Sequence, residues 1–186
     1  MAMVPEVPEV PGSAGLKRTT TRSTAAWIAA ALVGSAVLGL LGGLMWGEFA
    51  PRAALQEIGA GTAQVVNAET RAFFGADVWF CGISAVAGLL TGISGYRLAV
   101  APRAGGSRAA VAAALIVGAL AGALVMLWAG ERIGMSAYNH TLASSPKGTV
   151  FSASLALGAK SALAIWPLFT AVVLLIAEWG TRPARE

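Results

Sequence analysis

The sequence predicts an all-α integral membrane protein, a four-helix bundle built as two tandem hairpins in parallel pseudo-repeat, and three observations predict it. Mean hydropathy is +0.70 and only 12% of residues are charged, where soluble domains carry about a quarter. Four apolar stretches, 25–47, 77–99, 109–130 and 158–179, reach the roughly 20 residues that a helix needs to cross a hydrocarbon core. The first hairpin also recurs in the second at a fixed offset of 83 (112 − 29 = 83): Ala29-Ala30-Ala31-Leu32 as Ala112-Ala113-Ala114-Leu115, Gly39 as Gly122, Gly47-Glu48 as Gly130-Glu131, and Gly75-Ala76-Asp77 as Gly158-Ala159-Lys160.

Residues 1–24 read as a disordered cytoplasmic tail. Prolines at Pro5, Pro8 and Pro11 favour polyproline II and cannot continue a helix, and Ser23 or Thr24 is placed to cap the first span. That span exceeds the ~7–15 apolar residues of a signal-peptide core, and no small-x-small cleavage site follows Gly47, so it reads as retained. Ser35, Gly39, Gly43 and Gly47 recur every fourth residue on it. Such small-xxx-small faces let helix backbones approach closely in lipid, within one chain or between chains.

The loop after the first span carries Leu55, Ile58, Val65, Val66 and Phe73 at roughly helical spacing, which predicts a surface helix. The second span opens on Asp77 and is lined by Ser84, Gly88 and Gly92. A short Gly105-Gly106 connection leads to the third span, whose small face is Ala114, Gly118 and Gly122. The following loop is polar apart from 150–157, the part apolar enough to pack. The fourth span lacks interior glycine and carries Trp166-Pro167, which predicts a kink at Pro167. Residues 181–186 form a short tail.

Lys and Arg set the orientation by the positive-inside rule. Lys17, Arg18, Arg22, Arg97, Arg103, Arg108, Arg182 and Arg185 lie on one side, whereas Arg52, Arg71, Arg132, Lys147 and Lys160 are spread over longer segments on the other. Both termini are therefore expected in the cytoplasm. Trp27, Tyr96 and Trp179 then fall at the inner interface and Trp46, Trp79 and Trp128 at the outer one, as aromatic belts require.

Asp77 is the single aspartate and begins a span, and Lys160 is its counterpart in the repeat. Ionisable groups at membrane depth call for a named partner, so the two are expected to pair and close the two halves at the outer interface. Glu48, Arg52, Glu131 and Arg132 lie at similar depth and would complete an outer charged ring.

Several function classes are excluded. The net charge of +4 is spread over loops with no basic, aromatic-interleaved face for nucleic acid. One cysteine, Cys81, permits no intrachain disulfide, and one histidine, His140, no metal cluster. No nucleophile and base, paired carboxylates or phosphate loop is present, so neither an enzyme nor a cofactor protein is expected. Asn139-His140-Thr141 matches the glycosylation sequon, a three-residue pattern of little weight alone.

The run Gly43-Leu-Met-Trp-Gly-Glu-Phe-Ala-Pro-Arg52, the segment Phe73-Phe-Gly-Ala-Asp77-Val-Trp-Phe80 and the glycine-rich third span resemble a family of small actinobacterial polytopic membrane proteins classed as a domain of unknown function. The resemblance covers about 25–179, and ten Arg against three Lys suits a GC-rich genome. It implies a multi-pass plasma-membrane protein and brings no activity with it. The function expected is non-enzymatic: an accessory or scaffolding protein of the cell envelope that meets the bilayer, other membrane proteins or its own copies through helix faces and outer loops. The alternative is a small transporter or channel component using the charged ring and the fourth helix.

Overall fold

The computed structural model of the chain describes residues 13–59, 62–67, 71–100, 108–144, 146 and 148–181, without the side chains of 13–24, 99, 100 and 137. Val4 to Pro11, the Gly105-Gly106 connection, Arg103, Lys147, Arg182 and Arg185 lie outside the described residues. In chain order the elements are α1 (Ser13–Phe49), β1 (Ala54–Gly59), β2 (Thr62–Val65), α2 (Ala72–Val100), α3 (Arg108–Arg132), α4 (Met135–Ser144), β3 (Val150–Ser152), a 3-10 turn (Lys160–Ala164) and α5 (Ile165–Gly180).

Four segments are long and apolar enough to cross a membrane: Ala25–Phe49, Ala72–Leu98, Arg108–Arg132 and Lys160–Gly180. Helix is the form that such sequences must take in lipid, because every interior N–H and C=O then bonds within its own segment. Large side chains such as Val33, Leu41, Leu44, Leu175 and Ile176 point outward and are more than half exposed, which suits hydrocarbon on the outside rather than water.

Two boundaries differ from those the sequence suggests. Helix α1 starts at Ser13, so Ser23 and Thr24 lie inside it and do not cap it, and the helix extends into the segment assigned to the tail. Pro167 stands in the first turn of α5 and not mid-span. The first four N–H groups of a helix have no intrahelical acceptor, so a proline there removes no hydrogen bond. Its ring does crowd the carbonyl four residues back, and that preceding turn is the 3-10 segment. The expected kink is instead a change of helix type at the head of the span.

The long helices pack mainly as α1 along α3 and α2 along α5, with sparser contact between helices adjacent in sequence. In the first pair a side chain added at Gly39 would overlap the Gly122 carbonyl, one at Gly43 would meet Ala129 and Met126, and one at Gly47 would meet Ile133. In the second pair Gly88 faces Trp166 and Phe169, Gly92 faces Val173, and Tyr96 Oη donates to the Ala177 carbonyl. Both partners' numbers rise together along each pair, so the paired helices run parallel. The core has two centres: Trp46, Phe80, Met126, Leu155 and Leu157 near one end, and Ala87, Ala119, Ala123 and Trp166 deeper in.

The two long loops meet above the Trp46 end in a three-stranded antiparallel sheet ordered β2-β1-β3. Leu55 pairs with Val65 on one side and Phe151 on the other. In place of the expected surface helix, Leu55, Ile58 and Val65 lie in a hairpin and Phe73 in α2: Gly59, at φ 122°, takes a conformation that side chains disfavour and starts the turn. Alternation governs burial, with Leu55 half-buried, Glu57 buried, and Ile58 and Val66 exposed. The second loop supplies α4 and β3, and Ala153, Leu155 and Leu157 of its apolar stretch are buried.

Candidate functional site

The chemistry-bearing side chains gather at the sheet end. Asp77, in the first turns of α2, accepts the Gly158 N–H on Oδ1 and the Ala159 N–H on Oδ2, each at 3.0 Å. These are the backbone donors just before the 3-10 turn, so the carboxylate anchors the head of the fourth span to the head of the second. Lys160 is exposed and makes no ion pair; among the described residues the one ion pair within 4.0 Å is Arg108 with Glu178. The closure expected from an Asp77–Lys160 pair is thus made to the main chain, since a carboxylate facing two adjacent N–H groups is satisfied without a cation.

The other members of the expected ring are held singly. Arg52 Nη2 donates to the Gly47 carbonyl, and its guanidinium lies against Gly134, which is at φ +79°. Glu131 Oε1 is 3.5 Å from the Leu157 amide. Arg132 stacks 5.3 Å from the Trp128 ring centroid, a cation–π contact, and Glu48 is exposed. The residues share one end of the molecule without pairing among themselves, and Arg52 and Glu131 each tie a loop to a helix end.

Beneath them Trp46 is fully buried, donates Nε1–H to the Ala76 carbonyl at 2.8 Å, and meets Phe80 edge-on at 5.2 Å. Gly130 leaves the space that its rings occupy. Lower down, Trp166 Nε1 donates to Thr91 Oγ1 at 3.1 Å, Thr91 in turn donates to the Ala87 carbonyl at 2.8 Å, and Thr170 donates to the Gly88 carbonyl at 3.2 Å. Ser84 contacts the Met126 sulfur at 3.8 Å. Ser35, 2% exposed, fits against Gly118 and Gly122. Each of these hydrogen bonds occupies a hydroxyl or indole that would be costly unpaired in lipid.

Three features were not read from the sequence. Glu57, 4% exposed, accepts the Gly59 N–H on Oε1 at 3.1 Å, while its buried Oε2 has no hydrogen-bond partner among the described residues. It shares a sheet face with Leu55 and so with Phe151, whose ring packs at a 55° tilt against Tyr138 of α4, centroids 5.8 Å apart. The Trp166–Thr91 bond joins residues 75 apart, and the Arg108–Glu178 pair joins helix ends remote in sequence. Side-chain alternation over 54–58 was the one available signal for Glu57; nothing local marks the other two.

Three hollows complete the surface. A 180 Å³ cavity lies between α1, α2 and α3, with Ser35, Thr91 and Ser94 in its wall. A 570 Å³ apolar groove separates α1 from α2 beside Met45, Trp79 and Gly82. A third, of 510 Å³, runs between α3 and α5 at the end remote from the sheet. No family model, curated protein or solved structure matches the chain.

Proposed function

We propose that the chain is a non-enzymatic accessory or scaffolding protein of the cell envelope, built from two parallel repeats, with both termini in the cytoplasm and the sheet and α4 as an outer docking cap. The observation that carries this reading is the filled interior: Trp46, Phe80, Met126 and Trp166 are all fully buried between the spans, and the Thr91 and Thr170 hydroxyls are already bonded. A bundle closed in this way acts through its surfaces. Gly39 against Gly122, its counterpart in the repeat, supports the duplicated architecture, because equivalent residues meet where a pseudo-twofold axis crosses a helix pair.

Partners are expected in the membrane, either other multi-pass proteins or a second copy. Affinity purification of the full chain from native membranes, followed by mass spectrometry, should recover a stoichiometric membrane-protein partner or a defined oligomer. Recovery of the chain alone as a monomer contradicts the proposal. The alternative, a small transporter component, would use the largely apolar 180 Å³ cavity, whose wall includes Ser35, Thr91 and Ser94. Ion flux in proteoliposomes that is abolished by Asp77→Asn would establish it in place of the accessory role.

A further inference from the structure

Between β3 and the 3-10 turn, residues 153–159 form neither helix nor strand, yet their side chains alternate as on a strand: Ala153, Leu155 and Leu157 are buried, Ala156 and Gly158 exposed. Leu155 and Leu157 join Trp46, Phe80 and Met126 in one apolar cluster, together with Ala162 of the 3-10 turn. The stretch therefore lies as a strap over the sheet end of the bundle and supplies the cover of the Trp46 indole.

Its two ends are fixed. The Ala153 N–H donates to the Ala53 carbonyl at 2.7 Å, and Trp166, fully buried, is bonded to Thr91. Between them three consecutive amides meet carboxylates: Leu157 N–H lies 3.5 Å from Glu131 of α3, and the Gly158 and Ala159 N–H groups lie 3.0 Å from Asp77 of α2. At 3.5 Å the Glu131 contact is at the limit of a hydrogen bond, which leaves Asp77 as the main tether. Gly158, Ala159, Lys160 and Ser161 are all exposed, so no buried side chain holds that part of the strap. Few apolar contacts and solvent-exposed backbone bonds mark a segment of low local stability.

We propose that residues 154–162 are a strap that opens as one unit, latched by the Asp77 carboxylate, and that its release draws Leu155, Leu157 and Ala162 away from Trp46, Phe80 and Met126. One joint is Ala153, tied to the sheet. The other is the 3-10 turn, whose five residues exceed the three or four at which such helices usually stop. The α1–α3 contact at Gly39 and Gly122 and the Trp166–Thr91 bond lie outside the strap and persist when it opens. The device follows from contacts within the cap and is independent of what the protein docks to.

The test is amide hydrogen exchange of the full chain in lipid nanodiscs, read at the Ala162 N–H, which is bonded to the Ala159 carbonyl at 2.9 Å and is not touched by Asp77. Asp77→Ala should speed that exchange about fivefold, the factor for one net hydrogen bond, and leave the Ala153 N–H at the parent rate. Gly39→Leu, which destabilises the bundle as a whole, should leave the Ala162 rate unchanged, because the open strap keeps the Gly39 contact. In a Cys81→Ser background, labelling of Leu155→Cys by a water-soluble maleimide should rise with Asp77→Ala by the same factor. Exchange at Ala162 that Asp77→Ala leaves unchanged overturns the latch. Acceleration by Gly39→Leu as large as that by Asp77→Ala shows global unfolding in place of a strap, and faster exchange at Ala162 without faster labelling at Leu155→Cys shows that the segment does not move as a unit.

Discussion

Gly39 of α1 lies directly against the backbone of Gly122 in α3, and neither position has room for a side chain. Ser35, one turn earlier on α1, fits beside both Gly118 and Gly122, and Trp166 of α5 reaches the same spot on Gly122. Three of the four spans therefore converge where two glycines touch. Transfer from lipid offers no hydrophobic gain between helices, so the close approach supplies dispersion contact that bulkier residues would prevent.

Gly39→Leu or Gly122→Leu should cost about 1–3 kcal/mol or more through overpacking against backbone, read as a lower melting temperature in detergent. Gly34→Ala, with nothing within 4 Å of the added carbon, should be neutral or stabilising, by up to about 1 kcal/mol, through helix propensity. Equal effects at Gly34 and Gly39 would mean that the α1–α3 contact does not form.

Asp77→Ala leaves the Gly158 and Ala159 donors to water at a half-exposed site and should cost about 1 kcal/mol. Lys160→Ala should change stability by less than about 0.5 kcal/mol, and the double variant should be additive. A coupling energy of about 1 kcal/mol between the two positions would restore the ion pair that the contacts argue against.

Trp166→Phe and Thr91→Val each remove one end of the indole–hydroxyl bond while keeping most of the bulk. A double-mutant cycle should give a coupling of about 0.6–1.7 kcal/mol, the range of interhelical hydrogen bonds in membranes. Zero coupling would show that Trp166 contributes by packing alone.

Glu57→Gln keeps an acceptor for the Gly59 N–H and removes a charge whose second oxygen is buried with no hydrogen-bond partner among the described residues. Burying an unpaired charge is unfavourable, so amide exchange across 54–59 should be unchanged or slower in the variant. Exchange accelerated about tenfold would show that the carboxylate is needed as an anion.

The four long apolar helices were legible in the sequence, because lipid imposes one requirement on a spanning segment, about 20 apolar residues in helix, that local composition alone can meet. The glycine faces were visible for the same reason: their spacing is local, although which helix they meet is not. What escaped was non-local. Strand β1 takes its register from β3, some ninety residues on, and a run as short as Ala54–Gly59 is ambiguous between periods of 2 and 3.6. Asp77 looked unpaired without Lys160 because main-chain donors leave no signature in sequence. Pro167 looked like a kink because the helix start just before it, set by a 3-10 turn, could not be seen.

The central claim is that the long helices lie side by side in parallel, α1 with α3 and α2 with α5, and it can be tested by disulfide trapping. With Cys81 replaced by Ser, the pairs Ser35→Cys with Gly118→Cys and Gly92→Cys with Val173→Cys set cysteines directly against each other across each helix pair, the second at a Cβ separation of 2.7 Å that must open by about 1 Å for the disulfide to form. Oxidation in membranes should cross-link each pair within one chain, whereas Ser35→Cys with Val173→Cys should remain free. Failure of both designed pairs, with efficient cross-linking of the control, would contradict the account.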